Sequence, residues 1–244
     1  HQYQFWANAM LTLSDDNRPS PGLTFVLPDD RVTVHARAND SLPGPGQPMS
    51  WPIHHGRDFS QYSTWQQYLG VFADPAQAGF FGAYDQQSDQ GVVRIFPHEV
   101  ARGVKIFCLG DLPSSLWTDD DSRYFELWGG LTPTFWDSGT LNPGASISWT
   151  EQWYAVSGIG GYNWANEEAA IRLLPSGDSA EIGLATTRAL DGTVVLRRGG
   201  LEVARWDTFI APDRPFHARG GPATGGDWSV QLVVGGRVIA QMGP

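Results

Sequence analysis

Four stretches of this chain hold residues whose types could do chemistry. The first is Trp51-Pro52-Ile53-His54-His55-Gly56-Arg57-Asp58-Phe59-Ser60. It places two histidines, an arginine and an aspartate in a loop punctuated by proline and glycine. Histidine titrates near neutral pH and can act as a general acid or base. Adjacent residues on a strand point to opposite faces, so at most one of His54 and His55 faces a given pocket unless the loop twists. The plainer reading is a polar turn closed by an Arg57–Asp58 ion pair. The second stretch, Gly82-Ala83-Tyr84-Asp85-Gln86-Gln87-Ser88-Asp89-Gln90-Gly91, reads as strand, polar turn, strand. Tyr84 and Asp85 could reach into a cleft, or Asp85 could simply cap the turn.

The third stretch runs from Leu116 to Gly130 and contains Trp117, the triplet Asp119-Asp120-Asp121, and Tyr124-Phe125-Glu126-Leu127-Trp128. Three consecutive aspartates need cations, sugar hydroxyls or water, and a solvated turn answers that need most simply. Glu126 is more telling. If Tyr124, Glu126 and Trp128 share one strand face, that face combines two rings with a carboxylate. Apolar rings beside a carboxylate desolvate it and raise its pKa toward a base's useful range. The plainer alternative is a salt bridge to Arg123 or Arg94. In the fourth stretch, Trp149, Glu151 and Trp153 alternate with Thr150, Gln152 and Tyr154 after an Asn142-Pro143-Gly144 turn, and this reads as architecture. Neither the histidines nor the aspartates show metal-ligand spacing, so no metal is expected. No cofactor is expected either: there is no nucleophile elbow, Walker loop or dinucleotide fingerprint.

The elements that must position these groups are strands. Short apolar runs and period-two patterns recur at 23–27, 31–35, 91–96, 104–109, 124–128 and 146–154, each bounded by turn residues. The best helical candidate is 164–170, and little helix is expected. A loose glycine-rich link at 157–161 and a turn at 175–178 suggest a boundary. Beyond it, alternating runs at regular spacing suggest a small Ig-like or fibronectin-like sandwich. The expected division is residues 1–165 and 172–244, both all-β.

Composition narrows the function classes. The net charge is −10, which repels nucleic-acid phosphates, so no nucleic-acid partner is expected. No apolar run is long enough for a membrane helix, so no membrane span is expected. Cys108 is the single cysteine, which excludes a disulfide framework, and between Phe107 and Leu109 it reads as a buried small hydrophobe. Lys105 is the only lysine. Eleven tryptophans exceed what a core of this size usually needs, and sugar clefts use such rings as stacking platforms. The chain begins at His1 with a strand-like Tyr3-Gln4-Phe5-Trp6, which suggests a processed or truncated chain with an upstream domain. The compartment stays open.

The pieces Tyr3–Ala9, Trp51-Pro52-Ile53 with Gly56-Arg57-Asp58, Gly82–Asp85, Trp117–Asp121, Tyr124–Leu127 and Trp149–Tyr154 resemble, in this order, a bacterial family of uncharacterised domains (DUF5107) related to aldose 1-epimerases. The resemblance covers roughly residues 1–170. It implies a galactose-mutarotase-like β-sandwich and a carbohydrate ligand. It also implies that Glu126, which precedes the Leu141-Asn142-Pro143-Gly144 turn and a final aromatic strand, is the base that takes the anomeric proton. The family's acid is a histidine. Trp6, just before Asn8, and Gln86, just after Tyr84-Asp85, stand where histidine would be expected, which leaves His54 or His55 to replace it.

Three functional readings follow. The first is a carbohydrate-binding protein whose cleft uses Trp6, Asn8, Arg57, Asp58, Tyr84, Asp85, Trp117, Asp119 and Trp128. The second is a sugar-active enzyme, an epimerase or a glycosidase, with Glu126 as base and His54 or His55 as acid. A retaining glycosidase would need a second carboxylate about 5 Å from Glu126, from Asp119, Asp120 or Asp85. The third is a structural protein that self-associates. Trp6 and Gln86, standing in place of histidine, favour binding over catalysis.

Overall fold

The computed structural model describes residues 1–73, 75–222 and 225–243. All regular structure in it is strand apart from two short 3-10 turns, Tyr62–Thr64 and Ser114–Leu116. The chain divides into two units. The first comprises His1–Ser88 with Phe96–Gln152, and the second Asp89–Ile95 with Trp153–Pro244.

The first unit is built on a six-stranded antiparallel sheet. Its order is Trp6–Leu11, Phe125–Gly130, Gly103–Gly110, Gln67–Ala73, Arg31–Arg37, Pro48–Ser50. Alternation gives the sheet two unlike faces. Phe125, Leu127, Val104, Ile106, Cys108, Leu69, Val71, Val32 and Val34 are all buried on one of them. A second layer, Leu23–Val26 paired with Phe80–Asp85, covers that face, and Phe25 meets Phe125 with ring centroids 5.6 Å apart. The opposite face carries Glu126, Trp128, Lys105, Phe107 and Phe72, and the cleft lies there. Between Val34 and Ala36 the pairing with Gln67–Ala73 shifts by one residue, so His35 is the extra residue of a bulge. The bulge lets both His35 and Ala36 line the cleft.

Two four-stranded antiparallel sheets form the sandwich of the second unit. One has the order Trp164–Ala165, Ala169–Ser176, Ser179–Thr186, Phe216–Gly220, and the other Leu201–Ile210, Leu190–Arg198, Trp228–Val234, Arg237–Met242. Ile171, Leu173, Ile182 and Leu184 from the first meet Val194, Leu196, Val230 and Leu232 from the second in one core.

Two local expectations give way. Residues 164–170 are not a helix: Trp164–Ala165 pairs with the start of Ala169–Ser176, Trp164 opposite Ile171, across a turn at 166–168. The Asn166 side chain accepts from the amides of Glu168 and Ala169, which closes the turn, and Trp164 packs on the sandwich core. The 146–154 run becomes strand only from Gln152 onward. Before that, Trp149 donates to Glu151 at 2.8 Å and sets its ring edge-on to Phe5.

Candidate functional site

An open cleft of about 550 Å³ lies on the outer face of the six-stranded sheet. That is the size of a small-molecule site, and like such sites it is mostly apolar with a few polar groups. Register assembles its floor. Trp128 lies opposite Lys105, and Glu126 opposite Phe107, across the two central strands. Lys105 in turn lies opposite Phe72.

Two loops supply the walls. The first carries Phe135 and is tightly tied. Asp137 accepts from the Thr134 amide and hydroxyl, and Gln4 donates to the carbonyls of Phe135 and Asp137. The Phe135 ring stands 4.7 Å from Trp6, 5.1 Å from His35, 5.1 Å from Phe72 and 5.4 Å from Trp128. Leu116 and Trp117 come from the second loop, and their side chains stay largely exposed at the rim. Ser114 ties this loop by donating to Asp121 at 2.7 Å, while Asp120 accepts from the Ser122 amide. The aspartate triplet therefore works as turn chemistry, and Asp119 sits exposed outside the cleft, beside Trp117.

At the floor is a buried ion pair. Lys105 Nζ lies 3.6 Å from Glu126 Oε2, with side-chain exposures of 4% and 11%. Trp128 Nε1 donates to the same oxygen at 2.6 Å, a charge-assisted bond that fixes both carboxylate and indole. The ammonium sits 4.7, 4.9 and 5.1 Å from the ring centroids of Trp128, Phe107 and Phe135. Such a cage favours a cation electrostatically. Burial nevertheless lowers the Lys105 pKa to about 8, and Glu126 only partly offsets it. His35 is lowered to about 4, first by burial and then by the Lys105 charge, so it is a neutral imidazole at neutral pH. Its Nδ1 is buried without a hydrogen-bond partner. Cys108 faces the core, where burial pushes its thiol up to about 12 and leaves it inert as a nucleophile.

The structure brings Glu126, Trp128 and Trp117 together at the cleft. Asn8 is exposed one strand over, opposite Trp128. Trp6 buttresses the Phe135 wall: it donates to Thr132 Oγ1 at 3.2 Å and lies flat over Gly103 and Gly130, where any Cβ would collide with its indole. The remaining candidates lie elsewhere. His54 and His55 stack on each other, 4.1 Å between centroids, in the small hairpin of Ile53–His54 with Arg57–Asp58. Arg57 sits over Phe59, and Asp58 accepts from the amide and hydroxyl of Ser60. Tyr84 and Asp85 are fully buried, and Asp85 caps its turn through the amides of Gln87 and Ser88. The cleft residues that sequence reasoning did not select include Lys105, His35, Tyr68, Phe107 and Phe135. One signal was available: the chain's only lysine stands inside an apolar strand. Among the described residues, no group of three or more His, Cys, Asp or Glu could hold a metal ion, and no helix could cross a membrane.

The fold and the cleft define a two-unit all-β protein with an aromatic, charge-paired pocket on one sheet face. Residues 164–239, within the second unit, match the model of the second domain of YphG-like proteins. Among solved structures, the chain is similar to a TPR-domain-containing protein from Parabacteroides distasonis ATCC 8503, with 20% identity and a TM-score of 0.45. The match covers 63% of this chain and 24% of that one, so it spans about a quarter of that protein. No curated protein matches the chain.

Proposed function

We propose that the first unit is a carbohydrate-binding domain with a galactose-mutarotase-like cleft, in which a pyranose stacks on Trp128 and Trp117 and hydrogen-bonds to Glu126 and Lys105. The observation that carries this reading is a charged pair with spare hydrogen-bonding capacity, set in a floor and walls of aromatic rings. Rings offer the apolar face a sugar needs, and the pair offers partners for its hydroxyls. The test is tryptophan fluorescence and calorimetry of the full chain against a panel of mono- and oligosaccharides. Saturable binding is expected, and Trp128→Ala should weaken it by about 1–3 kcal/mol, the worth of a large buried apolar group. Absence of binding across the panel would sink the proposal and leave the structural, self-associating reading.

One observation favours a second reading, anomer exchange. The Lys105 amine, with its pKa near 8, stands beside a carboxylate, which is an acid–base arrangement. In this reading Glu126 takes the proton of the anomeric hydroxyl, and Lys105 gives a proton to the ring oxygen as its bond to the anomeric carbon breaks. Rotation about the next carbon–carbon bond and the reverse transfers then close the other anomer. Lys105 thus takes the place foreseen for His54 or His55, which lie in their own hairpin. Exchange followed by NMR on any sugar that binds should slow at least a hundredfold in Glu126→Gln, in keeping with the usual worth of general base catalysis. Equal rates in wild type and variant would reject a base role.

A further inference from the structure

The Lys105–Glu126 pair is left incomplete by the protein. At 3.6 Å, Nζ and Oε2 are farther apart than a hydrogen bond. Glu126 is therefore a long and weak partner for Nζ, whose side chain is 4% exposed at the floor of an open cleft. An ammonium carries three donors, and a carboxylate has roughly four acceptor sites. Trp128 occupies one of those sites. The cleft's charges also balance: Lys105 contributes one positive charge, Glu126 one negative, and His35 none at neutral pH.

A group that completes both partners must accept from Lys105 and donate to Glu126 at once. A hydroxyl does both. Carboxylates and phosphates only accept, so they would satisfy Lys105 and repel Glu126. An ammonium only donates and fails in the opposite sense. Resting on the carbohydrate reading above, we infer that the cleft selects uncharged sugars, gripping a hydroxyl, or two vicinal hydroxyls, between Lys105 and Glu126, and that it discriminates against uronic acids and amino sugars.

The test uses matched trios on the full chain: D-galactose, D-galacturonic acid and D-galactosamine, and the same three forms of D-glucose. Calorimetry at about 20 mM and about 500 mM salt reads affinity and its screening. The expected result is that a neutral sugar binds with little salt dependence, and that both charged relatives bind at least about tenfold more weakly, since misplaced like charge is costly. Glu126→Gln removes the negative charge, so the uronic acid should gain on its neutral parent in that variant. This ratio needs only a folded variant, checked by thermal melting, and the wild-type trio needs no variant at all. A uronic acid or amino sugar that binds wild type as tightly as the neutral sugar would overturn the inference and leave the cleft a sugar site. Failure of all six to bind, in a chain that binds no other sugar of the panel, would overturn the carbohydrate reading itself.

Discussion

Replacing Glu126 by glutamine should lower the pKa of Lys105 further, and the chain offers a direct way to see it. Burial brings the amine from 10.5 to about 8 even with Glu126 at 3.6 Å holding it up. Two unit charges at that distance attract by about 4–5 kcal/mol at an effective dielectric of 20. The cleft is open, so water screens the pair, and a working value is about 1–3 kcal/mol, or about one to two pKa units. The amine of Glu126→Gln should therefore titrate near about 6–7. Because Lys105 is the only lysine, uniform lysine labelling at Cε yields a single side-chain NMR signal whose shift follows protonation. Wild type should show a midpoint near 8, and the variant one clearly lower. A wild-type midpoint near the ordinary lysine value would refute the burial of the amine. Coincident curves for the two proteins would refute the coupling.

The double variant Lys105→Met with Glu126→Gln should raise stability at pH 7 by about 1–3 kcal/mol, because a buried ion pair recovers little of its desolvation cost; a destabilised double variant in chemical denaturation would count against this. Lysine's folded pKa lies below its unfolded one, so between about 8 and 10.5 the unfolded chain binds more protons, and the Lys105 contribution to stability should rise with pH across that window. His35 is also depressed, from 6.5 to about 4, so its contribution is complete above 6.5 and is lost as the pH falls toward 4. The loss is about 1–2 kcal/mol after allowing for solvent screening at this half-open position, and His35→Phe should flatten acid unfolding in that range if packing is kept. In the second unit, a Cβ at position 220 would overlap the wholly buried Leu196, so Gly220→Ala should cost about 1–3 kcal/mol in thermal or urea unfolding; an unchanged melt would show that Leu196 has room to turn.

The all-β class was legible because strand-length runs bounded by turn residues are a local signal, as at 104–109 and 124–128. Glu126 and Trp128 were legible as a pair for the same reason, being two apart on one strand. Lys105 and Phe107 are likewise two apart on one strand, yet their meaning depends on register with a strand some twenty residues later. His35 depends on a bulge and on strand order across the sheet. Phe135 depends on a loop folded back by Asp137 and Gln4. No short-range pattern reports such contacts. The paired histidines drew notice by composition, but His54 and His55 stack on each other in a turn rather than converge on the sheet. The 164–170 segment reads as helix only until the turn chemistry of Asn166 is counted.

What sets the cleft apart from the rest of the sheet is an inconsistency between levels. Strand pairing would be served as well by apolar residues at 105 and 126, and the neighbouring rings would bury them readily. A lysine and a glutamate there carry a desolvation cost, pair only at 3.6 Å, and bring the lysine pKa down to about 8. Such local violations are expected at functional or strained sites. Ser114, Asp137 and Gln4 are not among the cleft-lining residues, yet their hydrogen bonds tie down the two walls that carry Phe135 and Trp117. The walls are therefore held by groups outside the cleft, while the charged pair at its floor is fixed by strand register and by Trp128.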